Sequence, residues 1–246
     1  MSDDSDELRA EVRRLRDELQ RQETFLAIVA HELRNPVGPV LLSIDALLLE
    51  LTTKTLDPDA LLRRLQATRR HAQRLRSDLD RLLDFSRLRS GRIDLQPQET
   101  DLSNLIDAVV DDMMPLIAAA RCELQTTLQR PLSGIWDPMR LQQVISNLIS
   151  NAVKYAAGSA IEIVTRADDR TATLVVADHG PGIAERERDT VFRKFERLQG
   201  VQQHTGFGIG LWLVRNVIEA MGGSIQLDSA PGHGATFTIT LPREAR

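Results

Sequence analysis

The chain has 246 residues, 42% hydrophobic and 27% charged, which excludes a disulfide-stapled mini-protein, a disordered chain and a collagen-like repeat, and leaves room for one or two domains. Thirty-one basic against 35 acidic residues give a formal charge of −4, so the field of the whole molecule favours neither nucleic acid nor an anionic membrane. The single cysteine, Cys122, cannot form an internal disulfide, and five scattered histidines offer no zinc-finger spacing, which predicts a reducing compartment.

The N-terminal third is helical and periodic. Leu8, Val12, Leu15, Leu19, Gln22, Leu26, Val29 and Leu33 follow alternating steps of four and three, the seam of a coiled coil. The pattern continues through an apolar stretch to about Leu51, with a kink expected near Pro36. After a break at Thr52 to Pro58 a second seam runs through Leu61, Leu65, Thr68, Ala72, Leu75, Leu79 and Leu82. A single hairpin buries two such seams poorly, so two copies forming a four-helix bundle are expected. The apolar stretches fall short of the roughly 20 residues a spanning helix needs, and the acidic start Met1 to Glu7 does not resemble a secretory signal. A cytoplasmic protein is predicted.

From Gly91 the texture changes. Helices are expected over Leu102 to Ala120, over Pro138 to Ala156 with Asp137 as its cap, and over Gly210 to Met221. Strands are expected at Glu123 to Leu128, in a hairpin of Ile161 to Arg166 with Thr171 to Val176, and at Ser224 to Ser229 and Ala235 to Leu241 around a Pro-Gly-His-Gly turn. The predicted organisation is a coiled-coil lead (1–23), a helical domain (24–91), a linker (92–101) and an α+β sandwich (102–246).

Three sets of residues carry chemical promise. His31 lies two positions from the seam residues Val29 and Leu33, a rotation of about 200° that turns it outward, with Glu32 beside it and Asn35 one turn on. An ordinary surface histidine is the alternative. Asp178-His179-Gly180-Pro181-Gly182 follows a strand, where a carboxylate could accept from an exocyclic amine; Gly206-Phe207-Gly208-Ile209-Gly210 precedes a helix whose free amides suit polyphosphate. Structural turns would read the same way. Asn147, Asn151 and Lys154 share one flank of a helix, next to Tyr155, where amide oxygens could hold magnesium and the ammonium could face phosphate; a solvated polar face is the plain reading.

Together these residues resemble a sensor histidine kinase of two-component signalling, in which a dimerising phosphoacceptor domain precedes an ATP-binding domain of the Bergerat type. His31-Glu32-Leu33-Arg34-Asn35-Pro36 is similar to the family's H box, Asn147 to Tyr155 to its N box, Asp178 to Gly182 and Gly206 to Gly210 to its two glycine boxes, and Phe192 to Phe195 to its phenylalanine box. The resemblance implies that His31 accepts the γ-phosphoryl group of ATP with Glu32 as base, and that Asn35 orients a hydrolytic water for phosphatase activity. It implies Mg²⁺ on Asn151 and Asn147, with Lys154 at the phosphates and Tyr155 lining the nucleotide. Asp178 would bond the adenine amino group and Gly180 and Gly182 would admit the base. Ile183 to Thr205 would form the ATP lid, with Arg197 reaching phosphate and Gly206, Gly208 and Gly210 offering amides. Ala30, Phe207 and Glu196 depart from the usual pattern without removing a reacting atom. Ten arginines and three aspartates between Leu61 and Arg92 give +7 on nearly every non-seam face, which suits an acidic protein surface better than nucleic acid. The implied partners are a second copy and a response regulator that takes the phosphoryl group on an aspartate. A non-catalytic adaptor and an ATPase clamp of the gyrase and chaperone type are the rival readings.

Overall fold

The computed structural model describes residues 11–12, 14–16, 19–20, 30, 37–49, 58–89, 94–196 and 208–244. It divides into a helical unit and an α/β unit. His31, Glu32, Asn35 and the kink expected at Pro36 lie outside the described residues, as do Arg197 and Gly206.

In the helical unit, residues 37–49 form α1 and Pro58–Arg89 form α2. Each helix carries two apolar stripes. On α1, Val40, Ser43 and Ala46 are half-buried and Leu47 is buried, whereas Val37, Leu41, Ile44 and Leu48, at steps of four and three, are 37–56% exposed. On α2 the predicted seam splits: Leu61, Thr68 and Leu75 are half-buried, while Leu65, Ala72 and Leu79 are exposed. One chain therefore covers half of its heptad positions and leaves a continuous apolar edge on both helices, more than scattered surface leucines would make.

The α/β unit contains β1 (Gln98–Asp101), α3 (Leu102–Ala119), β2 (Glu123–Thr127), β3 (Ser133–Trp136), α4 (Pro138–Tyr155), β4 (Ala160–Ala167), β5 (Thr171–Asp178), α5 (Gly210–Ala220), β6 (Ser224–Ser229) and β7 (Ala235–Pro242). A five-stranded sheet has the order β2-β4-β5-β7-β6, with β2 parallel to β4 and every other pair antiparallel. Burial alternates along β4, β5 and β7, so that Ile161, Ile163, Leu174, Val176, Phe237, Ile239 and Leu241 point toward the helices. Helix α4 packs between α3 and α5 and buries Leu141, Val144, Ile145, Leu148, Ile149, Ala152 and Val153, at about 1.5–3 kcal/mol for each large aliphatic side chain. This two-layer sandwich is the predicted α+β class.

One feature differs from the sequence expectation. The end of the segment read as a linker is strand: β1 pairs antiparallel with β3, and neither carries enough alternation to be seen locally. Helix α3 runs unbroken through Pro115, as the expected span does. Asp137 caps α4 as expected, accepting from Arg140 N–H at 3.0 Å. Its other oxygen accepts from Gln96 N–H at 3.0 Å, which ties the incoming chain to the head of α4.

Candidate nucleotide site

The site is built along α4 and closed by two glycine loops. At the C-terminal end of α4, buried Ala156 faces the loop after β5: a Cβ added to Gly180 would lie 2.8 Å from the Ala156 Cβ and 3.0 Å from Asp178 Oδ1. Toward its middle, the side-chain oxygen of Asn147 faces the start of α5, 3.3 Å from where a Gly210 Cβ would stand. At about 1.5 Å per residue these contacts are about 14 Å apart along the helix, one for each end of an elongated ligand. Asn151 and Lys154 lie between them, both half-buried, and Tyr155 is exposed with the Lys154 Nζ 4.9 Å over its ring.

Asp178 ends β5 half-buried. Its Oδ1 accepts from Gly180 N–H at 2.9 Å, an Asx turn that aims the carboxylate back toward Ala156. Burial raises its pKa above the usual carboxylate range, against the lowering effect of N–H donors from Gly180 and Ala235 and the charge of His179. A carboxylate so desolvated holds acceptor capacity that an adenine amino group would satisfy. His179 beside it is taken up elsewhere, with Nε2 2.8 Å from Glu162 Oε1.

Gly182 adopts φ +70, and a Cβ there would sit 1.9 Å from Ala230 O. Gly234 mirrors it at φ +74, with a Cβ only 1.8 Å from Asp178 O. The loop after β5 and the β6–β7 turn are thus interlocked backbone to backbone. The sequence showed the second loop only as a turn, because nothing local reveals a neighbour 50 residues away.

The described part of the expected lid holds two 3₁₀ turns, Glu185–Glu187 and Thr190–Phe192. Phe192 is buried edge-on to Phe237 at 6.3 Å and under the Arg215 guanidinium at 4.1 Å, while the Lys194 Nζ lies 4.9 Å over the Trp212 ring. Phe195 has φ +65 and donates its N–H to Gly208 O at 2.9 Å, which ties the end of the described lid to the residues leading into α5. Gly208, at φ +66, would carry a Cβ 2.9 Å from Glu196 O, which leaves no room for a side chain at this closure.

Asn147 is buried, and its Nδ2 donates to Gln143 O at 3.0 Å, so only the amide oxygen faces Gly210. Among the described residues no group of three His, Cys, Asp or Glu side chains is placed to hold a metal. A magnesium ion here fits only as one that keeps water and phosphate oxygens and takes one or two amide oxygens from α4.

Two family models match the chain: the His Kinase A (phospho-acceptor) domain over residues 21–91, and the histidine kinase-, DNA gyrase B- and HSP90-like ATPase over residues 136–245. The chain belongs to the sensor histidine kinases. It is 31% identical over 245 residues to the adaptive-response sensory kinase SasA of Synechococcus sp. (strain JA-3-3Ab), matching 98% of this chain and 65% of that protein. It is 34% identical over 229 residues to the sensor histidine kinase RcsC of Escherichia coli (strain K12), covering 91% of this chain and 23% of that one. Full-length ShkA solved in complex with AMPPNP superposes with a TM-score of 0.66 at 29% identity, over 91% of this chain and 46% of that structure. This histidine kinase chain thus spans less than two thirds of these relatives.

Proposed function

We propose that this chain is an ATP-dependent protein-histidine kinase that phosphorylates its own His31 and passes the phosphoryl group to an aspartate of a separate response regulator. The observation that carries the reading is the cradle around Asp178: a half-buried carboxylate at a strand end, flanked by Gly180 and Gly182, whose Cβ positions are filled by Ala156 and by the Ala230 carbonyl. Close packing of this kind fixes the carboxylate as a preset acceptor for the amino group of a flat base.

Asp178 accepts from the adenine amino group, Gly180 lets its loop seat against Ala156 so that this carboxylate is held near the end of α4, and the N–H groups leading into α5 at Gly208 and Gly210 meet the phosphates at a helix N-terminus. Asn151 and the Asn147 oxygen would hold magnesium, which would supply charge neutralisation at the phosphates, and Lys154 and Arg197 add positive charge. Glu32 takes the imidazole proton as a His31 ring nitrogen bonds to the γ-phosphorus, while the bond to the bridging oxygen of ADP breaks. Asn35 positions water for the reverse duty, hydrolysis of the phosphorylated regulator. The exposed stripes of α1 and α2 support a homodimer, and the basic surface of α2 supports docking of an acidic receiver. No helix among the described residues is long and apolar enough to cross a membrane. A nucleotide substrate and a regulator partner support a cytoplasmic location.

Incubation with γ-labelled ATP and Mg²⁺ tests this. Wild-type protein acquires an acid-labile, base-stable label, and His31→Gln abolishes it; label retained in that variant rejects His31 as the acceptor.

A further inference from the structure

The loop that carries the adenine-binding glycines is fastened by groups that no motif of the site contains. Asp178, Ala235 and Ser229 stand in one row across β5, β7 and β6. The Ser229 side chain is buried, and its hydroxyl bridges two loops: it accepts from Ile183 N–H at 2.8 Å and donates to Gly234 O at 2.5 Å. Ile183 follows Gly182 directly, and Gly234 is the residue whose missing Cβ lets Asp178 O approach. Arg188, just after the first 3₁₀ turn of the lid, donates from Nη2 to the Ser229 carbonyl, and Gly232 N–H donates to Pro181 O at 2.7 Å. The hydroxyl and the guanidinium thus connect the adenine loop, the β6–β7 turn and the first turn of the lid in one contiguous set of bonds.

Arg188 Nε is buried with no acceptor among the described residues. An unsatisfied buried donor opposes folding, so the docking of Arg188 adds little net stability and its consequence is geometric.

We propose that Ser229 and Arg188 are positioning residues for nucleotide binding, forming a strap that holds the Gly180–Ile183 loop at the depth where Asp178 meets the base. The proposal rests on the nucleotide reading of the Asp178 cradle. Without the strap the loop loses its anchor to β6, and recognition of adenine weakens while the phosphate-side groups on α4 and α5 are untouched. Ser229 and Arg188 act through the backbone of the loop and need not touch the ligand.

Titration calorimetry of the full chain with ADP and with GDP, in the presence of Mg²⁺, tests the strap. Ser229→Ala and Arg188→Met each weaken ADP by about tenfold and lower the preference for ADP over GDP, with Arg188→Lys recovering most of the loss. A purely structural role would lower the melting temperature of the nucleotide-free protein and leave that preference unchanged. If Ser229→Ala does not fold, by the fluorescence of Trp136 and Trp212, the half-exposed Arg188→Met decides. Wild-type ADP affinity and base preference in folded Ser229→Ala or Arg188→Met, while Asp178→Asn loses binding, overturns the strap and leaves the site standing. Undiminished ADP binding by Asp178→Asn overturns the nucleotide reading itself.

Discussion

Replacing Gly182 by alanine separates two costs that glycine usually hides together. Gly158 and Gly182 both have left-handed backbones, φ +80 and φ +70, but an added Cβ at Gly158 meets nothing within 4 Å, whereas at Gly182 it meets Ala230 O at 1.9 Å. Gly158→Ala therefore carries the conformational penalty alone, about 1–2 kcal/mol. Gly182→Ala carries the same penalty plus displacement of the β6–β7 turn, an overpacking cost of about 1–3 kcal/mol. That displacement also moves the loop beside Asp178, so nucleotide affinity falls with stability in one variant and not in the other. Both tryptophans, Trp136 and Trp212, belong to the α/β unit, so urea unfolding followed by tryptophan fluorescence reports this unit directly. Equal destabilisation by the two substitutions, or wild-type ADP affinity in folded Gly182→Ala, would refute the interlock.

Other outcomes follow from the same geometry. Asp178 has a raised pKa because burial disfavours its charge, so its contribution to apo-fold stability is present at low pH and lost as pH rises through that pKa; Asp178→Asn accordingly keeps the apo melting temperature at neutral pH while losing ADP. The ionised carboxylate is the stronger acceptor for the base, so ADP affinity in the wild type weakens on acidification through the raised pKa of Asp178, measurable by calorimetry across pH. Asp137→Ala removes the cap of α4 and the bond to Gln96 N–H, and lowers stability by about 2 kcal/mol in the urea assay. Leu48→Glu with Leu65→Glu charges the exposed stripes of both helices; sedimentation should show a shift from dimer toward monomer without loss of helical circular dichroism.

Most helices and strands of the α/β unit were legible because each carries its own period. The alternation along β4, β5 and β7 and the cap at Asp137 are local signals, and the structure places them within a residue or two of expectation. What the sequence withheld depends on contacts distant along the chain. Strands β1 and β3 exist because each completes the other, and Gln96 is fixed by a carboxylate 41 residues away. Asp178 and its glycines could be read as an acceptor beside a tight turn, but the reason Gly182 must be glycine lies at Ala230 O. Asn147 was legible as an amide on a polar flank of its helix, yet it is buried and one of its two functional groups serves its own helix. Ser229 gave no signal, since a serine ending a strand is ordinary until the loops it bridges are known.

The proposed reaction is phosphoryl transfer from a nucleotide held at Asp178 to the imidazole of His31. Phosphorus NMR of the full chain after incubation with ATP and Mg²⁺ measures it directly. A phosphoramidate resonance that is absent from both His31→Gln and Asp178→Asn is the predicted result; ADP binding at the site with no such resonance in the wild type would contradict it.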